Sequence, residues 1–322
     1  MDKHTFSSEV GSKKHLVYRS CFHISFWPKK TSNTAFILFL LFFSTLSHAE
    51  WVEWITDIDS GIQYNDNINR SAFSSDVEDD TSLKANISLG RVNQVTSTFR
   101  YSLSTDFSAE YFDQFELLNS TTAGATFSAR KKLGLGLTVP WVKGSINMSH
   151  LNVRDSVRSS QNIGIDIQAG KRYSERLDIV AGYRFHTRNG KSKPSAAPGL
   201  DGNVFDQDNQ EIFLSSSYLV TENWLSSFGV SYFDGEVDSA CTGGNVATVL
   251  MWDISAIIKD SIFGGCVYRL DVEAYSLSFD NSYALGRHAS INVGYQLQKG
   301  KGDAGFLKYK NSIFSVIYKY SY

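Results

Sequence analysis

The sequence predicts an all-β fold, a transmembrane antiparallel β-barrel of about 12 strands, with 14 as the competing count. Three observations lead there. Segment after segment alternates apolar and polar residues with period two, the signature of a strand with one apolar face. Many of these segments run 10 to 14 residues. That is near the roughly 9–11 a tilted strand needs to cross a bilayer, and longer than the roughly 5–6 usual in soluble sheets. Finally, residues 312–322 read SIFSVIYKYSY, an alternation that runs into an aromatic C-terminus.

The first 49 residues differ in character. Residues 35–43, AFILFLLFF, form the strongest apolar run. Nine residues cannot span a bilayer as a helix, which needs about 20. Lys29 and Lys30 precede the run, and Ser47, His48 and Ala49 follow it as a small-residue cleavage site. Residues 1–49 therefore read as a leader with a secretory signal peptide cleaved after Ala49, and 50–322 as the barrel. Residues 1–28 are long for an n-region; a start assigned upstream of the true one, or a genuine long leader, would account for them.

The leader holds six Lys/Arg and two Asp/Glu, so its removal turns the 31 and 33 of the whole chain into 25 and 31. The mature chain is acidic and offers no basic surplus for nucleic acid. Cys21 leaves with the leader. Cys241 and Cys266 remain, an even pair available for a disulfide in an oxidising compartment.

Thirteen segments alternate: roughly 54–64, 80–91, 96–110, 118–131, 137–151, 160–171, 176–188, 209–219, 223–234, 247–258, 265–279, 285–297 and 312–322. In 98–110, Phe99, Tyr101, Leu103, Phe107 and Ala109 oppose Arg100, Ser102, Ser104, Asp106 and Glu110. In 162–169, three isoleucines and Ala169 oppose Asn162, Gly164, Asp166 and Gln168. In 268–276, Tyr268, Leu270, Val272 and Ala274 oppose Arg269, Asp271 and Glu273. Pro194 and Pro198 lie in one polar loop and Pro140 near a strand start, so strand interiors keep their ladder donors. Short connections near 91–96, 131–135, 172–176 and 220–223 alternate with long ones at 65–80, 152–160, 189–208 and 234–247.

Thirteen is an odd number, and single-chain bacterial barrels have even ones with both termini on one side. Demoting 248–258 to part of a large loop gives twelve. It also places Cys241 and Cys266 on the same side, where a disulfide could close the loop; with 248–258 as a strand they would lie at opposite ends, beyond the roughly 7 Å that a disulfide tolerates. Against this, Leu250, Trp252, Ile254, Ala256 and Ile258 form a lipid-like stripe; keeping it and splitting another segment gives fourteen. Twelve is the preferred count.

Trp51, Trp54, Trp141, Trp224 and Trp252, with Tyr64, Tyr183, Tyr218 and Tyr232, sit mostly near strand ends, as an interfacial girdle would. Strand parity assigns Arg100, Asp106, Glu110, Arg130, Lys143, Asp166, Arg184, His186, Arg188, Glu211, Arg269, Asp271, Glu273 and Lys319 to a mixed-charge lumen. Such charges either pair across the bore and brace it or line a narrow hydrated path. Arg184, His186 and Arg188 form the one concentrated basic strip, suited to anionic saccharides.

A hydrolytic site would combine His186 with Asp206 or Asp208, or His150 with Ser149. No nucleophile elbow and no metal-binding helix motif occurs, so no catalytic residue, metal ligand or cofactor is assigned.

Asn65-Asp66-Asn67 after Ile62-Gln63-Tyr64 resembles the Y-x-D-N opening of a loose group of Gram-negative barrels, some associated with surface-polysaccharide export. The plan of signal peptide, alternating strands and aromatic last strand is similar to outer-membrane β-barrel proteins as a class. That resemblance implies the Gram-negative outer membrane and contact with its lipid and lipopolysaccharide. It also implies recognition by the barrel assembly machinery through a last strand ending at Tyr322. The function expected is a non-enzymatic channel or export-associated porin-like protein. An outer-membrane hydrolase, or a structural or adhesive barrel acting through its loops, is the alternative.

Overall fold

A computed structural model describes residues 51–252, 254–302 and 307–322. The leader and its cleavage site lie outside them. Twelve strands form the wall: β1 (Trp51–Asn65), β2 (Asp80–Thr96), β3 (Phe99–Phe112), β4 (Ser120–Lys132), β5 (Trp141–Val153), β6 (Ser160–Arg172), β7 (Leu177–Gly190), β8 (Gln207–Thr221), β9 (Trp224–Thr242), β11 (Gly265–Ala284), β12 (Ala289–Gly302) and β13 (Lys308–Ser321). The short β10 (Ala256–Asp260) pairs along the far end of β11 and bridges to Asp201 of the β7–β8 loop, outside the wall. Each wall strand pairs antiparallel with its neighbour, and β9 pairs with β11 directly. Pairing of β1 with β13, Asp57 opposite Ser321 through Asn65 opposite Ile313, closes the ring. Closure leaves no unpaired strand edge, the condition a sheet must meet in hydrocarbon.

The outward face is apolar and bare. Ile62, Leu83, Leu103, Phe107, Met148, Ile167, Ile212, Phe228, Phe279 and Phe314 are all exposed large apolar side chains. In water such a belt would not persist; in a bilayer it is the contact surface. Residues 65–80, 112–120, 153–160, 190–207 and 242–265, with the short connection from β12 to β13, make the connections at one end, the loop end. The other short connections and both ends of the described wall lie at the turn end.

Segment 248–258 is not a wall strand. A helical turn (Val246–Val249) and β10 carry it, and Ile254, Ala256 and Ile258 are buried among other loops rather than facing lipid. Its stripe is apolar because it has a protein core to fill. Cys241 and Cys266 are directly paired tips of β9 and β11 and form a disulfide, Cα–Cα 5.1 Å, at the base of this insertion.

The buried apolar residues concentrate at the loop end. One cluster joins Ala197, Val237, Val249, Ile254, Ile257, Tyr268, Leu270, Val272, Leu307 and Tyr309, with Ala72 and Phe73 packed against it. A second joins Val157, Val204, Phe205, Ala256, Ile258 and Val267. Val267 and Tyr268 are consecutive yet fall in different clusters, so the tip of the β9–β11 hairpin is covered on both faces. Phe115 adds a ring contact to Phe263 at 4.8 Å. The loops around the ring thus meet in a lid with its own core.

The lid explains two departures from strand parity. In β11, Leu270, Val272 and Ala274 are buried, while Asp271, Glu273 and Tyr275 are exposed and Leu277 and Phe279 continue that outward face. The apolar series therefore changes face at Ala274–Tyr275 with no break in register. Below that point lipid lies outside and a polar bore inside; above it water lies outside and the lid core inside. Asp271 and Glu273 accordingly do not line the lumen. Arg269 is absorbed by the lid, donating to Ser255 Oγ and the Asp206 carbonyl and pairing with Glu236.

The aromatic girdle also needs correction. Trp54, Trp224, Tyr64, Tyr183 and Tyr218 are exposed, as expected of it. Trp252, however, packs against the lid core and Trp141 lines the lumen.

The disulfide closes a loop with sequence separation 25, worth about 3 kcal/mol in a chain-entropy account. The Cys241→Ser/Cys266→Ser double variant should keep its barrel, seen as heat-modifiable gel migration. Its 243–264 insertion should be cut by trypsin at least tenfold faster than in the oxidised protein. Equal cutting rates would show that the lid does not depend on this link.

Candidate functional site

The bore is a succession of polar spaces. At the turn end a cavity of about 620 Å³ is lined by Arg100, Arg130, Lys132, Trp141, Lys171 and Arg172. An adjoining space of about 450 Å³ adds Glu53, Asp57, Lys143 and Gln168. Midway, about 360 Å³ lies between Asp59, Lys84, Asn86, Glu110 and Lys319. Beneath the lid two spaces of about 420 and 320 Å³ share Arg70, Asp238 and Gln298.

The mid-bore charges pair along the wall, not across it. Arg184 on β7 reaches Asp166 on β6 at 3.1 Å and Glu211 on β8 at 3.0 Å. Its guanidinium also lies 4.0 Å from the Phe213 ring. Lys84 on β2 pairs with Glu110 on β3 at 3.2 Å, and Asp106 accepts from Ser88 and Thr126 on the strands either side. These neighbours are placed by register alone: Asp166, Arg184 and Glu211 are directly opposed positions on three successive strands. Lateral pairing stiffens the wall and leaves the centre of the bore unspanned.

Charges do span the mouth under the lid. Asp238, near the tip of β9 beyond the apolar belt, faces Arg70 from the β1–β2 loop (3.5 Å), Arg158 from the β5–β6 loop (3.5 Å) and Arg188 from β7 (3.6 Å). Gln207 donates to it as well. Arg158, nearly buried, reaches Asp260 of the insertion at 3.0 Å. Burial pushes the Asp238 carboxyl up, but the three arginines and Gln207 outweigh it and hold the group at about 2. A second latch is Asp76, which accepts from the Thr242 amide and hydroxyl and from Asn245. Burial pushes Asp76 up, and these bonds with that of Ser75 more than reverse it. Sequence parity cannot find Arg70, Arg158, Asp238 or Asp260, because they sit in loops or on strand ends beyond the belt.

The Y-x-D-N-like opening has a local structural task. Asp66 accepts the Ser312 amide, and the buried Asn67 side chain bonds the carbonyls of Ser71 and Lys310. The motif pins the first loop to β13 and turns it inward toward the lid.

The basic strip Arg184–His186–Arg188 is not free. Arg184 is neutralised as above, and Arg188 donates to the Arg158 carbonyl and Ser160 beneath the lid. His186 lines the chamber below the lid, whereas Asp208 is exposed and takes the alternate parity on β8; Asp206 accepts the Gly190 amide. Ser149 and His150 are neighbours on β5 and so point to opposite faces. Neither proposed hydrolytic pairing is assembled.

No protein-family model matches this chain, and no curated protein does. Solved structures do. An outer-membrane channel from Pseudomonas putida F1 aligns with a TM-score of 0.50 and 11% identity, covering 86% of this chain and 98% of that one. The NanC porin aligns at 0.46 and 7% over 82% of this chain and 98% of its own. The KdgM porin aligns at 0.42 and 9% over 83% and 99%. At such identities the likeness is one of fold: the chain is a twelve-strand barrel of the outer-membrane type.

A folded-state carboxyl held below its unfolded value of about 3.9 stabilises above that pH and loses the contribution as pH falls toward 2. For Asp238 this amounts to roughly 2 kcal/mol of lid stability. Pepsin cleavage of the lid loops, scaled to an unfolded reference peptide, should therefore rise steeply between pH 4 and pH 2. Asp238→Asn should show the pH 2 behaviour already at pH 4. A variant cut no faster than the parent at pH 4 would remove Asp238 from the role of hub.

Proposed function

We propose that this protein is a non-enzymatic channel of the Gram-negative outer membrane, shut from outside by its own loops. The observation that carries this reading is the line of polar cavities from the turn end to the underside of the lid. A barrel serving only as a braced anchor would fill that space with side chains, as the loop end does. By the convention of such barrels the turn end faces the periplasm and the loop end the exterior. The lid then needs to move for solute to pass, and the Asp238 hub is the element whose release would free it.

The outer surface supports the same setting. Lys299 and Lys301 on β12 stand directly opposite Lys310 and Lys308 on β13, all exposed; Lys299 is level with Tyr275 and the row lies beyond Tyr295. Four cations at that level suit the phosphorylated headgroups of lipopolysaccharide. The alternating face of β13 that ends at Tyr322 is the surface offered to the barrel assembly machinery. Anionic saccharides remain the proposed class of solute, met at cations other than Arg184 and Arg188.

In planar bilayers the refolded protein should conduct rarely. Asp238→Asn, or replacement of 243–264 by a short Gly-Ser link, should raise mean current at least fivefold. Silence from a lid-deleted protein whose barrel is shown to be folded would overturn the channel reading.

A further inference from the structure

We infer that the periplasmic vestibule holds a binding site for a soluble polyanion, formed by Arg100, Arg130 and Lys143. The three lie on β3, β4 and β5 at directly opposed positions: Arg100 faces Arg130, and Arg130 faces Lys143. All three take the inward parity and line the turn-end spaces. Adjacent strands are about 4.8 Å apart, so three cations stand in a row at that spacing, continued by Gln168 on β6.

Like charges directly opposed across strands destabilise a sheet. Elsewhere the bore removes that cost by pairing: Arg184 has two carboxylates, Lys84 has Glu110, and Arg172 has Asp178 at 3.1 Å. Among the described residues no carboxylate forms an ion pair with Arg100, Arg130 or Lys143. Glu53 and Asp57 border the adjoining space, and Asp57 accepts from Ser321. Asp178 also borders the cavity, but its carboxylate is bound to Arg172, so the row inside this polar cavity keeps an excess of positive charge and is a site awaiting countercharge.

The row is also built, not merely exposed. The Arg130 guanidinium lies over the Trp141 ring at 4.0 Å, and its Nε atom is buried with no hydrogen-bond partner. Trp141 can lie there because residue 170, opposite it on β6, is glycine. A Cβ at that position would come within 2.4 Å of the indole. Arg130 is thus held against the indole at the wall of the 620 Å³ cavity. Space, fixed donors and spacing together fit a ligand with two or more carboxylate or phosphate groups.

This site deepens the channel reading, on which its transport role rests. It lies on the periplasmic side of the lid, so a ligand reaches it while the exterior is shut, as cargo moving outward would. Binding itself needs no lid movement, which separates the two tests. Calorimetric titration of the refolded mature chain with tripolyphosphate and with citrate should give saturable binding that weakens as salt rises. Arg130→Gln/Lys143→Gln should weaken it at least tenfold, whereas Lys84→Gln should leave it within twofold, each variant being checked for barrel folding by heat modifiability. Maltotriose, being neutral, should not bind. Absence of saturable binding, or equal loss in Lys84→Gln, would overturn the site. Intact binding with a silent lid-deleted barrel would instead leave this site standing and remove the channel.

Discussion

The pairing of β1 with β13 is the constraint on which everything else depends. Hydrocarbon offers no hydrogen-bond partner, so a sheet can cross it only if its first and last strands meet. Met by antiparallel pairing, as here, that demand fixes an even number of strands, both ends of the wall on one side, and an alternation of outward and inward side chains. It also makes the interior a polar space by default, since the apolar half of every strand is committed outward. The buried core that a soluble protein would place at its centre is displaced to the one region where lipid and bore are both absent.

That displacement is visible in β11. One uninterrupted strand carries two apolar faces in succession, the inward one through Ala274 and the outward one from Tyr275. The same change occurs in β13, where Tyr309 is buried and Phe314 is exposed. Neither change needs a bulge. The chain simply answers to what surrounds each segment, and the switch marks the height at which membrane gives way to lid.

Charges follow the same division of space into three levels. At mid-bore they pair between neighbouring strands and stiffen the wall. Under the lid they converge on Asp238 from three separate elements and tie the loops together. In the vestibule three cations stand in register with no ion pair to a carboxylate among the described residues. Register brings together the first and third sets, and loop folding brings together the second.

Much of this was legible in the chain. Period-two alternation determines strands whatever their neighbours, and strand length with an aromatic last strand determines a membrane barrel. Parity puts Arg100, Arg130, Lys143, Asp166, Arg184 and Glu211 on the polar face of their strands, because a strand gives its side chains no third choice. The cysteine pair likewise argues for twelve strands over fourteen. Parity fails at Asp271, Glu273, Arg269, Trp252 and the 248–258 stripe, where apolar residues face protein instead of lipid; the residues are the same in both environments, and sequence carries no mark of which surrounds them. Only the tertiary structure decides that the loops close into a lid and that Arg70, Arg158 and Arg188, over a hundred residues apart at the extremes, meet at Asp238. It alone shows which cations of the bore have partners, because pairing depends on register between strands, and register is a property of the closed sheet.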